Sequence, residues 1–560
     1  MIDNFKVELF ESFKSQIINQ KKNELENLLQ NSYFKDQVIE SSMDLLSIIC
    51  ENIEEKMIDF NNKDDIYCNL INYIAENGNP KEVICILNVH LDKVNVDFKF
   101  LILLYPLSIA LLKLDFYNSS SLVIIKDSLN CVVSYFNNLP VAHYKGLEGE
   151  ELEVYIQTSE TQRILRLSKA YLGFVEFMTR NKKLANFKSI KDEIVRNILF
   201  LFDKSLIKLA FYAPGIVSDE SRSCSLRAFK LIEKLVSCFH DCITNICSTN
   251  EKQKLEFQTE LLKEQEIIPY SSLVCLLYHV FVLQNFQKYP QVFLPIYNWN
   301  FSIPILSICL SKSQDPHCIR LCLRILDEFY QRIELSTISW KRPVQLSLFR
   351  SLKTAMTSNF NREIRGFSFN IFVKSFERLV DVGRFKLLRT LLKEVDHFGV
   401  KGQLILMLKK EIINGIMRKD DSIGYFIGSS VYPLISDIFT LPDADKTDVV
   451  DESEWILAAL NMLYVLIHRD KQHLVGLDVL IHDFRNDFIQ PLVKATEIAI
   501  GHYNNEKRLI ESDEQASAIS ELRSELAFMD KEQKIDFVNR AILVIELVRC
   551  NISRITNLIL

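Results

Sequence analysis

Residues 237–247 read SCFHDCITNIC, placing two cysteines, a histidine and an aspartate within five residues, with a third cysteine close behind. Side chains of these types hold zinc when a short loop, such as C-x2-C, turns two sulfurs towards one ion. No C-x-x-C occurs in the chain; Cys238 and Cys242 stand four apart, and Cys318 and Cys322 repeat that spacing. On a helix, positions i and i+4 share a face, and His240 would project away from it. The flanking sequence supplies the stripe: Leu226, Phe229, Ile232, Leu235, Cys238 or Phe239, Cys242 and Ile246 recur at helical spacing. Cysteine behaves there as a small buried hydrophobe. The expectation is core rather than metal, although a site built between distant helices stays open at this point.

Other catalytic signatures are absent. The chain has no G-x-x-x-x-G-K-[ST], G-x-G-x-x-G, H-E-x-x-H or G-x-S-x-G. The ten histidines are scattered; His468 and His473 flank RDKQ and read as a surface turn near a helix end, where cations suit the dipole. Asp420 and Asp421 read as a solvated pair after a helix. No catalytic, cofactor or metal-binding residues are assigned. An enzyme whose groups converge from distant positions would instead show a deep pocket of perturbed ionisable side chains.

The elements that must position any site are helical. Fourteen Gly and 13 Pro in 560 residues are together well under half the roughly 12% that proteins usually carry, which argues against all-β and Gly-rich nucleotide-binding folds. Hydrophobic residues are 48%, enough for a large core. Val538, Ala541, Ile545, Val548, Ile552 and Ile555 alternate spacings of three and four, as do Leu477, Ile481, Phe484, Phe488, Leu492, Ala495 and Ala499. Pro491 falls within the second set and predicts a kink. Two helices are predicted within 381–418, separated by DHFGV. WILAALNMLYVLI (455–467) is apolar around most of its circumference and must be covered on two sides. Stacked helix pairs of roughly 40–47 residues meet that demand. The predicted fold is all-α, a HEAT/armadillo-like superhelix, with N-terminal repeats over 1–250 and C-terminal repeats over 251–560. Breaks are expected at 141–153, 213–224, 248–266, 311–317, 441–453 and 503–517.

Formal charge is −6 and no long basic block occurs, so nucleic acid is not an expected partner. The N-terminus does not read as a signal peptide. The longest apolar runs, 100–112 and 270–283, fall short of the roughly 20 residues a membrane span needs. A cytoplasmic location with reduced, buried thiols among the 13 cysteines is expected.

Surface anchors for a protein partner are sought where a loop carries apolar side chains. RKDDSIGYFIG (418–428) sets Tyr425 and Phe426 beside glycines and next to Arg418 and Lys419. Alternatively, the two aromatics tuck between helices or open the next one. IFTLPDADKTD (438–448) sets Phe439 and Leu441 before an acidic loop, and HRDKQH (468–473) is a basic turn. The candidate partner-binding set is Arg418, Lys419, Tyr425, Phe426, Phe439 and Leu441.

The C-terminal half resembles the glomulin family, which includes the plant aberrant lateral root formation protein. The resemblance is carried by TLPDADKTDVVDESEWILAALNMLYVLIHRD (440–470) and GLDVLIHDFRNDFIQPLVKATEIAIGHY (476–503). Weaker echoes lie at NPKEVICILNVHL (79–91), LLYPLSIALLKL (103–114) and VFLPIYNWNF (292–301). The resemblance implies a HEAT-like protein that is not an enzyme. It would bind the RING-box subunit of cullin-RING ubiquitin ligases through about 400–560 and cover the surface that receives the ubiquitin-conjugating enzyme. It also implies an immunophilin partner for the N-terminal part. Asp420 and Asp421 stand where the resemblance would put more basic residues. The other reading is a scaffold or transport adaptor with a different cargo, for which regular inner-face Trp/Asn positions would be expected; the chain has three Trp.

Overall fold

A computed structural model of the 560-residue chain describes residues 12–17, 22–29, 32–55, 65–94, 96–140, 149–180, 187–203, 219–236, 269–283, 294–313, 315–417, 424–511 and 530–559, with a few single positions besides. The described residues form helices: α1 Lys22–Leu29, α2 Ser32–Asn52, α3 Ile66–Asn77, α4 Pro80–Lys93, α5 Asp97–Leu112, α6 Ser119–Asn137, α7 Glu150–Gln157, α8 Ser159–Thr179, α9 Lys188–Phe202, α10 Asp219–Leu235, α11 Tyr270–Phe281 and α12 Pro295–Lys312. They continue with α13 Pro316–Arg332, α14 Arg342–Ser358, α15 Arg362–Arg378, α16 Asp381–Glu394, α17 Phe398–Met417, α18 Tyr432–Ile438, α19 Ser453–Arg469, α20 Leu477–Phe484, α21 Gln490–Glu511 and α22 Lys531–Ile559. Among the described residues there is no strand, only an isolated bridge between Ile338 and Leu379. The fold is an all-α helical-repeat solenoid, as the periodicity predicts.

The chain divides into two compact units: residues 1–329 with 359–367, and residues 330–358 with 368–560. The division does not fall at 250. Helices on either side of that point, α9 and α11, pack against each other within the first unit, and burial of a shared apolar face holds them in one body.

In the first unit several helices pack on both the successor and the one after, while α5 reaches ahead to α8 and α6 to α9. α2 meets α3 and α4, α4 meets α5 and α6, and α9 meets α10 and α11. Side chains fix where these helices begin. Asp65 accepts from Tyr67 N and Cys68 N to cap α3, and Asn79, followed by Pro80, accepts from Lys81 N to cap α4. Asp97, in the first turn of α5, ties three helices together. Both its oxygens accept from Arg163 at 2.6–2.9 Å, and it accepts from Arg166 at 2.8 Å and from Tyr135 Oη at 2.8 Å. Burial pushes the Asp97 carboxyl up, but the bonds from Arg163, Tyr135 and Arg166 outweigh it and hold the group below the usual carboxylate value.

In the second unit the predicted stripes face inward. Val538, Ala541, Ile545, Val548, Ile552 and Ile555 of α22 are all buried, as are Leu477, Phe484, Phe488, Leu492 and Ala495. Helix α19 buries Trp455, Ile456, Ala459, Leu460, Met462, Leu463 and Leu466. It is covered on one side by α17 and on another by α22. α17 approaches closely at Gly402, where a Cβ would lie 2.9 Å from the Glu454 carbonyl oxygen. The helix expected to end near Tyr503 continues to Glu511. The two helices predicted within 381–418 are α16 and α17. Of the stripe over 226–246, Phe229, Ile232 and Leu235 are buried, Leu226 is exposed, and Cys238, Cys242 and Ile246 lie outside the described residues. No helix among the described residues is long and apolar enough to cross a membrane.

Two substitutions test this packing. Because folding holds the Asp97 carboxyl low, its contribution is present above the ordinary carboxylate pKa and is lost as pH falls through the folded value. Asp97→Asn should lower stability at neutral pH by about 1–3 kcal/mol and flatten the acid limb, read by urea unfolding at a series of pH values. Gly476 has φ +67°, and a Cβ there would collide with the Tyr432 phenol. Gly476→Ala should cost at least about 1 kcal/mol, read as a lowered unfolding midpoint for the second unit by tryptophan fluorescence.

Candidate protein-interaction site

The turn that follows α18 is built by a proline far along the chain. Pro491 has no N–H to offer the carbonyl of Asp487, four residues back. That carbonyl instead accepts from Leu441 N at 3.3 Å. The helix accommodates the break by widening to a π turn over Arg485–Ile489 between α20 and α21, which is the form the predicted kink takes. Around this bond Phe439 packs on Phe484 and Phe488, with ring centroids 4.6 and 5.5 Å apart, and Trp455 lies 6.1 Å from Phe488.

From this anchor residues 441–452 run back over α21. A 3-10 turn, Ala444–Lys446, seats against α21. Thr447 Oγ1 donates to the Ala444 carbonyl at 2.9 Å, and Asp448 Oδ1 accepts from Val450 N and Asp451 N, both at 3.0 Å. Val449 is fully buried and pins the middle of the loop. The loop ends at Glu452, whose Oε2 accepts from Trp455 Nε1 at 2.9 Å, while Lys401 Nζ lies 4.2 Å from the Trp455 ring centre. Burial raises the Glu452 carboxyl and lowers the Lys401 amine. Glu452 and Lys401 thus brace the Trp455 indole, each from a half-buried position.

Between this loop and α21 lies a groove of about 460 Å³. Ala495, Ile498, Ala499 and Tyr503 of α21 and Phe537 of α22 give it an apolar floor, and Asp445, Asp448, Asp451 and Glu506 outnumber Lys446 on a mainly acidic rim. Ile498 is 60% exposed. His502 Nε2 and Glu506 Oε1 pair at 3.0 Å along one wall. An apolar floor under an acidic rim suits an amphipathic, basic protein segment. A second groove, of about 490 Å³ in the first unit, has the opposite lining, including Arg180, Arg227, Lys230 and Lys234, with Arg227 paired to Glu176.

The candidate anchors separate on inspection of their burial. Phe426, Phe439 and Leu441 are 5%, 1% and 5% exposed. Phe426 tucks against Phe385, with ring centroids 5.7 Å apart, and Phe439 and Leu441 belong to the anchor at Pro491. These three are core side chains because short turns between packed helices direct their apolar groups inward. Tyr425 is 46% exposed, with one face towards Phe385 at 6.0 Å. Arg418 and Lys419 lie outside the described residues. In HRDKQH, the buried Asp470 accepts from Leu474 N at 2.8 Å and Val475 N at 2.9 Å, so the turn is held by an acid at its centre.

Comparison with known proteins adds an independent observation. The model of an uncharacterised protein family, YAP/Alf4/glomulin, matches residues 234–534, more than half of the chain. Glomulin of Homo sapiens is 23% identical over 532 residues, covering 91% of this chain and 85% of its own. Glomulin of Mus musculus is 21% identical over 475 residues, covering 82% and 77%. A solved circular tandem repeat protein with novel repeat topology and enhanced subunit contact surfaces aligns over 98% of this chain and 97% of its own, at 13% identity and a TM-score of 0.21. That superposition is too poor to carry any argument.

Pro491→Ala would return an N–H to the α21 backbone, where it competes with Leu441 for the Asp487 carbonyl. The expected result is faster amide exchange at Leu441 and across 444–451 with α19 unchanged, measured by hydrogen exchange of the folded chain.

Proposed function

Since the chain belongs to the YAP/Alf4/glomulin family, we propose that it is a non-catalytic binding protein that inhibits cullin-RING ubiquitin ligases. Its second unit would cover the face of the RING-box subunit that otherwise receives the ubiquitin-conjugating enzyme. Inhibition needs no chemistry from this chain: two proteins cannot occupy one surface, and the zinc of a RING belongs to the partner. A cytoplasmic site of action is part of the same reading.

One observation carries this proposal. The stretches on which the family resemblance rests, 440–470 and 476–503, are the ones that form the two walls of the groove. The resemblance thus coincides with a surface feature and not only with helix packing. A shallow, charged-edged RING surface suits a rigid face with apolar floor and acidic rim, because rigidity spares the entropy of ordering loops on binding.

The test is binding of the purified chain to a RING-box subunit in complex with a cullin C-terminal fragment, alongside discharge of ubiquitin from the charged conjugating enzyme. The wild-type chain should bind and suppress discharge. Ile498→Glu in the groove and Tyr425→Ala, each in a chain with unchanged circular dichroism, should weaken binding by about tenfold or more, or about 1.4 kcal/mol, and restore discharge in proportion. Absence of binding would overturn the function. Undiminished binding by both variants would overturn the assigned surface.

A further inference from the structure

Helices α12 and α13 form a hairpin in the first unit whose facing sides bring together three cysteines. Cys318 and Cys322 stand four apart on α13, and Cys309 faces them from α12. The Sγ atoms of Cys309 and Cys318 are 3.1 Å apart, and all three sulfurs lie within 4.8 Å of one another. The hairpin is fixed at its turn, where Asp315 N donates to Ser313 Oγ at 3.2 Å and Asp315 Oδ1 accepts from His317 N at 3.0 Å. The sulfurs are thus held by backbone on both sides, and each residue is under 5% exposed.

We infer that Cys309, Cys318 and Cys322 form a binding site for one soft metal ion held by three sulfurs, with monovalent copper the ion that fits. Three arguments converge. Sulfur donors select soft ions. Among the described residues no His, Asp, Glu or fourth Cys joins the cluster, whereas structural zinc takes four ligands. The three sulfurs are buried, which leaves no open, water-filled fourth position of the kind that three-ligand zinc sites keep. Binding forms copper–sulfur bonds and releases thiol protons to solvent; no electron changes hands. The burial of the three side chains also shields bound copper from oxidants.

Exposed Cys85 and Cys550 would add weak sites, so the experiment uses a Cys85→Ser/Cys550→Ser background. The full chain, reduced and free of oxygen, competes for Cu(I) with a coloured Cu(I) chelator. One equivalent should transfer to the protein, raise its thermal midpoint and show three sulfur neighbours by X-ray absorption. Cys318→Ser and Cys322→Ser should each lower the affinity about a hundredfold or more, and the Ala variants control for a buried hydroxyl. Copper left wholly with the chelator would overturn the site. Uptake undiminished in the folded Ser and Ala variants would assign the copper to other cysteines and overturn it equally. Preferential retention of zinc by these three cysteines would overturn the choice of ion.

Discussion

A helix with apolar side chains around most of its circumference can exist in water only if neighbours cover it on more than one side. α19 imposes that constraint on the second unit. Its buried Trp455, Leu460 and Leu463 require both α17 and α22, and those helices must then present matching faces. α17 does so by carrying Gly402 where the backbones meet, and α22 by keeping an unbroken stripe from Val538 to Ile555. The loop before α19 inherits its path from this arrangement, since Glu452 is bonded to the indole and Val449 is buried beneath the chain. The groove is therefore a by-product of core packing rather than an addition to it.

How much of this could be read beforehand depends on the range of the interaction. The stripes of α19, α21 and α22 are visible because helical periodicity is written within one element. Pro491 announced a break, and the structure gives it as a π turn with its freed carbonyl taken by Leu441. That second half was out of reach, because nothing near Leu441 names residue 487 as its partner. The groove was equally hidden: its walls come from 445–451, 495–506 and 537. Phe439 and Leu441 read as anchors, and Phe426 as either an anchor or a side chain tucked between helices; all three are buried, for a physical reason. Apolar residues in a loop suggest exposure, but in tight turns between packed helices they complete the core.

The cysteines show the same limit. The i,i+4 pair Cys318 and Cys322 signals only a shared face, which suits a core as well as a ligand set. Cys309 comes beside them because a three-residue connection folds α12 back onto α13. Of the conspicuous cluster at 237–247, Cys238, His240 and Cys242 fall outside the described residues, while a quieter cluster carries the geometry.

The double duty of α22 has a consequence for shortened forms of the chain. It covers α19 and α21 alike, so a product ending before Lys531 would not merely lose a terminal helix. It would leave two hydrophobic faces wet, and in a nearest-neighbour array the loss of one interface weakens the next. Early termination in this region would thus be felt as loss of solubility and abundance across the second unit, well upstream of the missing residues.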